Sequence, residues 1–454
     1  LSMKLKVTES QFLEYRYELT PNDYMVDFTI RSQGLQQVIN SSQNINLDWK
    51  LQGIRHAKSA SYENRYTEVL YEYDGDKDDY LGQGEFTDEE EEDVSWIAFK
   101  QHFFTSVLLT NTAFKKAAFT SKNIANSSDL DDKDIKITKE FSASMPLELQ
   151  GGELNYAMDW YYGPTDYKIL SKYDRNLDEI VPLGWGIFGF INRYLFIPFF
   201  GFLSGFLPYG ISIIVMTIIV RIILSPVTYK SYLSQAKMKV LRPEITEINE
   251  KFKDNAMKRQ QETMALYGKA GVNPMSGCLP ALMQIPVFYA LFNFFPSAFQ
   301  LRQKSFLWAD DLSSYDNIAL LPFEIPFYGD HVSLLPLLAS VAIFIYMMMT
   351  TGQTMQTQQP GMPNMKFIMY LSPLMMLFFF NNYASGLSLY YFISNLITIG
   401  IMLVIKNVII DEDKIHSKIQ ENKKKPKKQG KFQKKMKELM EQAEQQQKQQ
   451  KQRK

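Results

Sequence analysis

The chain has 454 residues with 49 basic and 49 acidic side chains, so its formal charge of zero is a cancellation between an acidic first half and a basic end. A single cysteine, Cys278, excludes an intrachain disulfide and thiol-rich metal centres, and the histidines His56, His102, His331 and His416 are too scattered to form an HExxH pair. No phosphate loop, dinucleotide fingerprint or GxSxG elbow occurs, which argues against nucleotide hydrolysis and serine hydrolase chemistry; Gly268-Lys269 lacks the upstream glycine such a loop needs.

Residues 1–180 alternate apolar and polar side chains. Tyr24, Val26, Phe28 and Ile30 interleave with Met25, Asp27, Thr29 and Arg31; Ile45, Leu47, Trp49 and Leu51 form a second series, and Leu154, Tyr156, Met158 and Trp160 a third. Period two with aromatic and β-branched residues, punctuated by Pro21-Asn22-Asp23, Asp74-Gly75-Asp76 and Gly151-Gly152, predicts half-buried antiparallel strands in a sandwich or barrel. The carboxylate run Asp88 to Asp93 is expected to be a solvated loop, with a calcium site as the alternative; contiguous carboxylates lack the alternating spacing of calcium loops. Leu1 to Ser10 carries neither a signal-peptide pattern nor a span, so an upstream export anchor is expected to have been removed.

Residues 183–206 are strongly aromatic, but Arg193 and Pro198 split the apolar run. An interfacial elbow lying along the membrane surface is expected there, with a spanning helix as the alternative. Spans are then expected at about 208–229, 277–298, 333–351, 367–382 and 386–405, the fourth of them short. The segment 230–275 is rich in Lys and Arg, whereas 299–332 is mostly acidic. By the positive-inside rule the former is cytoplasmic and the latter external. Five spans put the β domain outside and the tail inside. Met238, Leu241, Ile245, Ile248 and Phe252 recur at spacings of three and four, and a second helix follows from Met257 to Lys269, so a basic helical hairpin is expected. Residues 411–454 form a basic tail containing Lys423, Lys424, Lys425, Lys427, Lys428, Lys434 and Lys435. Its composition predicts disorder in isolation and affinity for rRNA or anionic lipid.

Arg221 is the informative residue of the first span. A guanidinium at mid-bilayer costs about 2.5–3.5 kcal/mol even on lenient insertion scales, so it should face protein or water. Snorkelling is the alternative, but Lys230 at the interface is nine residues on, roughly 13 Å along a helix and beyond comfortable reach. Thr217, Arg221 and Ser225 stand at i, i+4 and i+8, and are expected to form one wall of a wet groove. The spans contain no carboxylate to pair with Arg221, unlike a coupled ion transporter with relaying ionisable groups. A solute transporter and a membrane-anchored module using the β domain remain the competing readings. Met347 to Met349 and Met375-Met376 suit adaptable contact with varied apolar helices, though ordinary packing also accounts for them.

Several segments resemble the YidC family of membrane protein insertases, related to the Oxa and Alb insertases. They are Thr217 to Arg221, Ser225-Pro226-Val227-Thr228, Ala236-Lys237-Met238, Ala265-Leu266-Tyr267, Val272-Asn273-Pro274, Gly277-Cys278-Leu279-Pro280, Gln284-Ile285-Pro286, Ser385-Gly386-Leu387, Leu389-Tyr390-Tyr391 and Ser394-Asn395. Asn382 departs from the pattern, since some members have an aromatic there. The resemblance implies a polytopic helical core of five transmembrane helices with a cytoplasmic hairpin, joined to an all-β periplasmic super-sandwich domain. It also implies that Arg221, Thr217 and Gln284 face the substrate, that Tyr390 and Tyr391 lie near its path, and that neither cofactor nor metal is needed. The implied partners are nascent membrane proteins, the ribosome, the Sec translocon and lipid; the implied location is the bacterial inner membrane.

Overall fold

The computed structural model of the protein describes residues 1–39, 45–124, 135–253, 255–273, 279–326, 328–354 and 365–424. The chain divides into two units. The first comprises Leu1–Pro198, Tyr289–Ser333 and Asn381–Leu387, and the second Phe199–Phe288, Leu334–Phe380 and Ser388–Lys454.

The first unit is built on strands β1 (Ser2–Lys6), β2 (Phe12–Leu19), β3 (Met25–Gln33), β4 (Ile45–Ile54), β5 (Glu68–Tyr73), β6 (Lys77–Tyr80), β7 (Phe86–Lys100), β8 (Phe104–Asn123), β9 (Ile137–Leu147) and β10 (Asn155–Pro164). They pair antiparallel in the order β1-β2-β3-β10-β8-β7-β5-β6, and β4 joins through β9 to β8. The 20-residue β8 is the hinge of the fold: its first half pairs with β10 and its far end with β9. One strand therefore serves both layers, which closes the sandwich over Phe28, Ile30, Phe99, Phe119, Phe141 and Met158. Trp49 stacks on Phe99 at 3.7 Å and meets Trp160 edge-on at 4.8 Å. The three alternating series of the sequence coincide with β3, β4 and β10, as period two requires.

The carboxylate run is not a loop. Asp88 to Glu92 lie in β7, opposite Thr120 to Lys116 of β8. Alternate carboxylates leave opposite faces of a strand, which separates like charges, and Lys116 pairs with Glu90 at 2.6 Å. The run ends in a register shift between Val94 and Trp96, beside Asp93 at φ 53°, a left-handed conformation that aspartate tolerates. Among the described residues no group of three or more His, Cys, Asp or Glu side chains is arranged to hold a metal ion.

Short helices α1 (Ala60–Asn64), α2 (Tyr167–Leu170) and α3 (Ile187–Ile191) follow in this unit. A π turn at Asn192–Phe196 joins α3 to α4 (Ile197–Ser204), and together Ile187–Ser204 is long and apolar enough to cross a membrane. Inside this stretch the buried Asn192 donates to the carbonyls of Leu183 and Ala290, at 2.7 and 2.8 Å. Arg193, which interrupts the apolar run, is paired with Glu179.

The second unit is helical: α5 (Tyr209–Val240), α6 (Arg242–Lys251), α7 (Ala256–Ala270), α8 (Leu279–Ser297), α9 (Leu334–Thr354), α10 (Met365–Phe380), α11 (Ser385–Val404) and α12 (Glu412–Lys424), with α8 and α11 running on into the first unit. Among the described residues, Tyr209–Val240 and Ser385–Ile409 are also long and apolar enough to span, and Leu334–Met349 and Tyr370–Phe380 are shorter apolar stretches. The loop between α8 and α9 carries a two-stranded hairpin, β11 (Ala319–Ile325) and β12 (Gly329–Val332).

Two elements run beyond what the sequence shows. The helix that carries the first expected span does not stop near 229: α5 continues through Pro226 to Val240, and the chain turns only at Leu241, where Pro243 enters the first turn of α6, a position that needs no backbone donor. The hairpin is thus α6 and α7, rooted on the extension of α5. The start of the tail is ordered in the folded chain, where residues 412–424 form α12. Asp411 caps it through the Lys414 backbone N–H at 3.1 Å, and Ile415 and Ile419, one turn apart, pack with Leu241, Leu266 and Ala270. Lys423 donates to both oxygens of Glu244 on α6, at 2.5 and 2.7 Å, and Asn422 to the Ala270 carbonyl at 3.3 Å.

Ile419→Ala should weaken this docking by about 2–4 kcal/mol. Limited trypsin digestion is the check, with cleavage at Lys414 and Lys418 expected to accelerate; unchanged cleavage would mean that α12 is held by something else. At the sheet edge Ser2, Arg31 and Lys4 surround Glu14 and hold its carboxyl down to about 2 from an ordinary 4.5. A depressed carboxylate stabilises above its unfolded pKa and loses that contribution as pH falls. The melting difference between the protein and Glu14→Gln, followed by tryptophan circular dichroism, should be complete at pH 6 and should vanish between about pH 4.5 and 2.

Candidate functional site: a polar recess around Arg221

Arg221 is the thirteenth residue of the 32-residue α5, about 18 Å from its start, which is mid-bilayer depth if Tyr209 lies at one surface. Its Nε donates to Ser394 Oγ at 2.6 Å, its Nη2 to the same oxygen, and its Nη1 to Gln284 Oε1 at 2.9 Å. Both partners are neutral, and among the described residues no carboxylate forms an ion pair with it. A guanidinium has five N–H groups, so three bonds fix its plane and leave donor capacity over. The charge is oriented but not neutralised.

The side chain opens on a recess of about 250 Å³, which is room for several waters, with a mixed wall: Arg221, Leu224, Val227, Thr228, Ser231, Tyr232 and Gln235 of α5, Met283 and Gln284 of α8, Tyr346 of α9, and Asn395 and Thr398 of α11. On the other side of α5, Ile222 and Ile223 are 61% and 68% exposed, as lipid-facing residues would be. One helix thus offers a polar stripe and a greasy flank within two residues.

The stripe does not follow the expected face. Thr217 is fully buried and its hydroxyl donates to the Ile213 carbonyl at 2.7 Å, while Ser225 is half-buried and absent from the lining. At about 100° per residue a four-residue step overshoots a turn by about 40°, so Thr217 and Ser225 lie some 80° apart around the helix. The lining runs instead through 221, 224, 228, 231 and 235, alternating steps of three and four that keep one face aligned. Of the six expected groove residues, Arg221 and Gln284 meet in the recess. Tyr390 and Tyr391 are buried behind it: Tyr391 donates to the Phe288 carbonyl at 3.4 Å, and Tyr390 interacts with Ser394 and Gln284. These rings support the Arg221 shell and do not surface it.

Ser394 and Asn395 stand out in the sequence only within the family motif, with no groove role, and Thr398, Ser231 and Gln235 do not stand out at all. The signal available was Ser394 and Thr398 at i, i+4 on α11, and the stripe on α5 beyond Pro226, which ending the first span near 229 concealed. Of the tail lysines, Lys423 is engaged by Glu244 and Lys424 is exposed. Lys425, Lys427, Lys428, Lys434 and Lys435 lie outside the described residues.

Comparison with known proteins agrees with this architecture. The family model for the 60 kDa inner membrane protein matches residues 200–413, and that for the YidC periplasmic domain matches residues 1–198. The membrane protein insertase YidC of Parabacteroides distasonis is 43% identical over 441 residues, covering 93% of this chain and 68% of that protein. The chain belongs to the YidC family of membrane protein insertases. The YidC insertase of Bacteroides fragilis is 40% identical over 445 residues, covering 94% of this chain and 70% of its own. A crystal structure of a YidC insertase with its first transmembrane domain resolved covers 90% of this chain and 94% of that one, at 17% identity and a TM-score of 0.38, too low to position individual helices. Membership makes this chain an inner-membrane insertase with a periplasmic β domain, and its substrates are membrane proteins in the making.

Ser394→Ala removes one of the two acceptors, and with it two of the three hydrogen bonds, on a half-buried cation and should destabilise the protein by about 1–3 kcal/mol. In an Arg221→Leu background the same change should cost far less. Thermal melting of the four proteins of this double-mutant cycle is the test, and additivity would mean that Ser394 does not support Arg221.

Proposed function

We propose that the recess is a hydrated vestibule, open to the cytoplasm and to lipid, through which a nascent membrane protein enters the bilayer. In this reading the five spans are α5, α8, α9, α10 and α11, helix Ile187–Ser204 is the interfacial elbow, and the hairpin α6–α7 projects into the cytosol. Exposed Lys251, Lys253 and Lys258 on the hairpin support that sidedness.

The observation that carries the proposal is the bonding of Arg221. A half-buried guanidinium held by serine and glutamine keeps its charge for a guest, whereas one paired with a carboxylate would not. An acidic external segment of the client is attracted by about 4 kcal/mol at 4 Å for an effective dielectric of about 20. Stripping water from that carboxylate costs several kcal/mol, so the two effects nearly cancel. The segment is drawn in without being trapped. The client helix then leaves along the exposed isoleucines, and its side chains gain about 1.5–3 kcal/mol each on leaving water. Partitioning drives insertion, and no covalent bond is made or broken.

Delivery is assigned to the hairpin and the basic tail at the ribosome, with Lys424 and the lysines beyond it meeting rRNA. Lys423 serves instead as the clip that holds α12 to α6. Cooperation with the Sec translocon rests on the family resemblance alone.

In proteoliposomes, Arg221→Ala should lower insertion of a single-span client with an acidic external segment several-fold while leaving a neutral-segment client nearly unchanged, and Arg221→Lys should recover part of the loss. Equal effects on both clients would remove the electrostatic role.

A further inference from the structure

The β11–β12 hairpin exposes its apolar side chains. Ile318, Leu320 and Phe323 are 49%, 62% and 60% exposed, and the seven residues of β11 carry one charge, Glu324. Strands that face water ordinarily carry charge or hydroxyls, so an exposed apolar strand marks a surface with a partner.

Covalent geometry says what that partner is. Asn381 directly follows the last residue of α10. Its carbonyl accepts from His331 Nε2 at 3.1 Å, its Oδ1 from the Ser333 backbone N–H at 3.0 Å, and its Nδ2 donates to the carbonyls of Tyr328 and His331 at 2.8 and 2.9 Å. Asn382 adds a bond from its Nδ2 to the Tyr328 carbonyl at 3.1 Å. Tyr328 precedes β12 and Ser333 follows it, so both ends of the strand are bonded to the residues that directly follow α10 in the chain. Ser333 is also followed at once by Leu334, the first residue of α9. A strand tied at both ends to the mouths of two apolar helices cannot stand away from the membrane.

Depth follows from length. The 16 described residues of α10 already rise about 24 Å of the roughly 30 Å of hydrocarbon, so a helix that crosses the bilayer leaves the chain at Asn381 beside the headgroup boundary.

We propose that the β11–β12 hairpin sits in the headgroup boundary of the bilayer as a lipid-immersed anchor, with Leu320 and Phe323 among the upper acyl carbons. Asp310, Asp311, Asp316, Glu324 and Asp330 outnumber Arg302 and Lys304 in this loop, so it is suited to zwitterionic and not to anionic headgroups. The proposal requires that α9 and α10 cross the bilayer; it does not depend on the recess at Arg221, and only the choice of outer leaflet rests on the topology proposed above.

The test uses the full chain in phosphatidylcholine proteoliposomes. Leu320→Cys, Phe323→Cys and, as a control on the same hairpin, Asp330→Cys are made in a Cys278→Ser background and labelled with an environment-sensitive fluorophore. At 320 and 323, lipids spin-labelled near the headgroup should quench at least twofold more than aqueous iodide, and at 330 iodide should dominate. Iodide quenching at 320 and 323 equal to or above that by lipid would overturn the proposal. So would shielding of both sites from both quenchers, which would assign this face to a second copy of the chain.

Discussion

A guanidinium in the middle of an apolar helix has to be solvated by something, and the organisation of the helical unit follows from what solvates Arg221. A carboxylate would neutralise it, and at mid-bilayer depth, which its place about 18 Å from the start of α5 gives if Tyr209 lies at one surface, its own side chain would not reach bulk water at either interface. The chain uses a third solution: two neutral acceptors from α8 and α11 fix the group, and a polar recess supplies the remainder. Such a centre costs stability that an apolar residue would not, which fits a site kept for function. It also accounts for Ser394, Asn395 and Thr398, which stand on α11 beside Arg221 or the recess it opens on.

The same stripe links the recess to the cytoplasmic apparatus. Because α5 is continuous from Tyr209 to Val240, the helix that carries Arg221 also carries Gln235 and, past it, the root of the hairpin. Helix α12 packs on that root through Ile415 and Ile419, so the start of the tail and the hairpin share one small core. In the proposed pathway a client received at the hairpin would meet the same helix that presents the cation. The β domain is stabilised by different means: an aromatic core, a strand shared between its layers, and buried polar groups such as Lys139, whose Nζ is satisfied by the Thr67 and Asn64 carbonyls and Gln83.

Where one period dominated, sequence and structure coincide. Phe28 and Ile30, or Met158 and Trp160, alternate so regularly that only a strand buries them together. The failures have physical causes. The carboxylates from Asp88 to Asp93 read as loop because composition reports affinity for water, whereas the conformation is set by β8, whose Lys116 and register lie far away in sequence. Thr217 and Ser225 were placed on the wall of the groove by a four-residue rule that drifts around the helix. Helix α12 was hidden because two isoleucines in thirteen residues vanish in the average of a lysine-rich tail. Ser394 was visible only as part of a motif, since hydrogen bonding across helices leaves no local signal. The elbow is a matter of environment: Ile187–Ser204 has the length and composition of a span, and only the membrane decides whether it lies along the surface.

The account stands on water reaching Arg221 from the cytoplasmic end of α5. Single cysteines at Thr228 and Gln235, and at Ile222 and Ile223 on the opposite flank, can be placed in a chain lacking Cys278 and exposed in inverted membrane vesicles to a charged, membrane-impermeant maleimide. The account predicts rapid modification at 228 and 235 and protection at 222 and 223. Equal protection at all four positions would mean a dry recess and would contradict it.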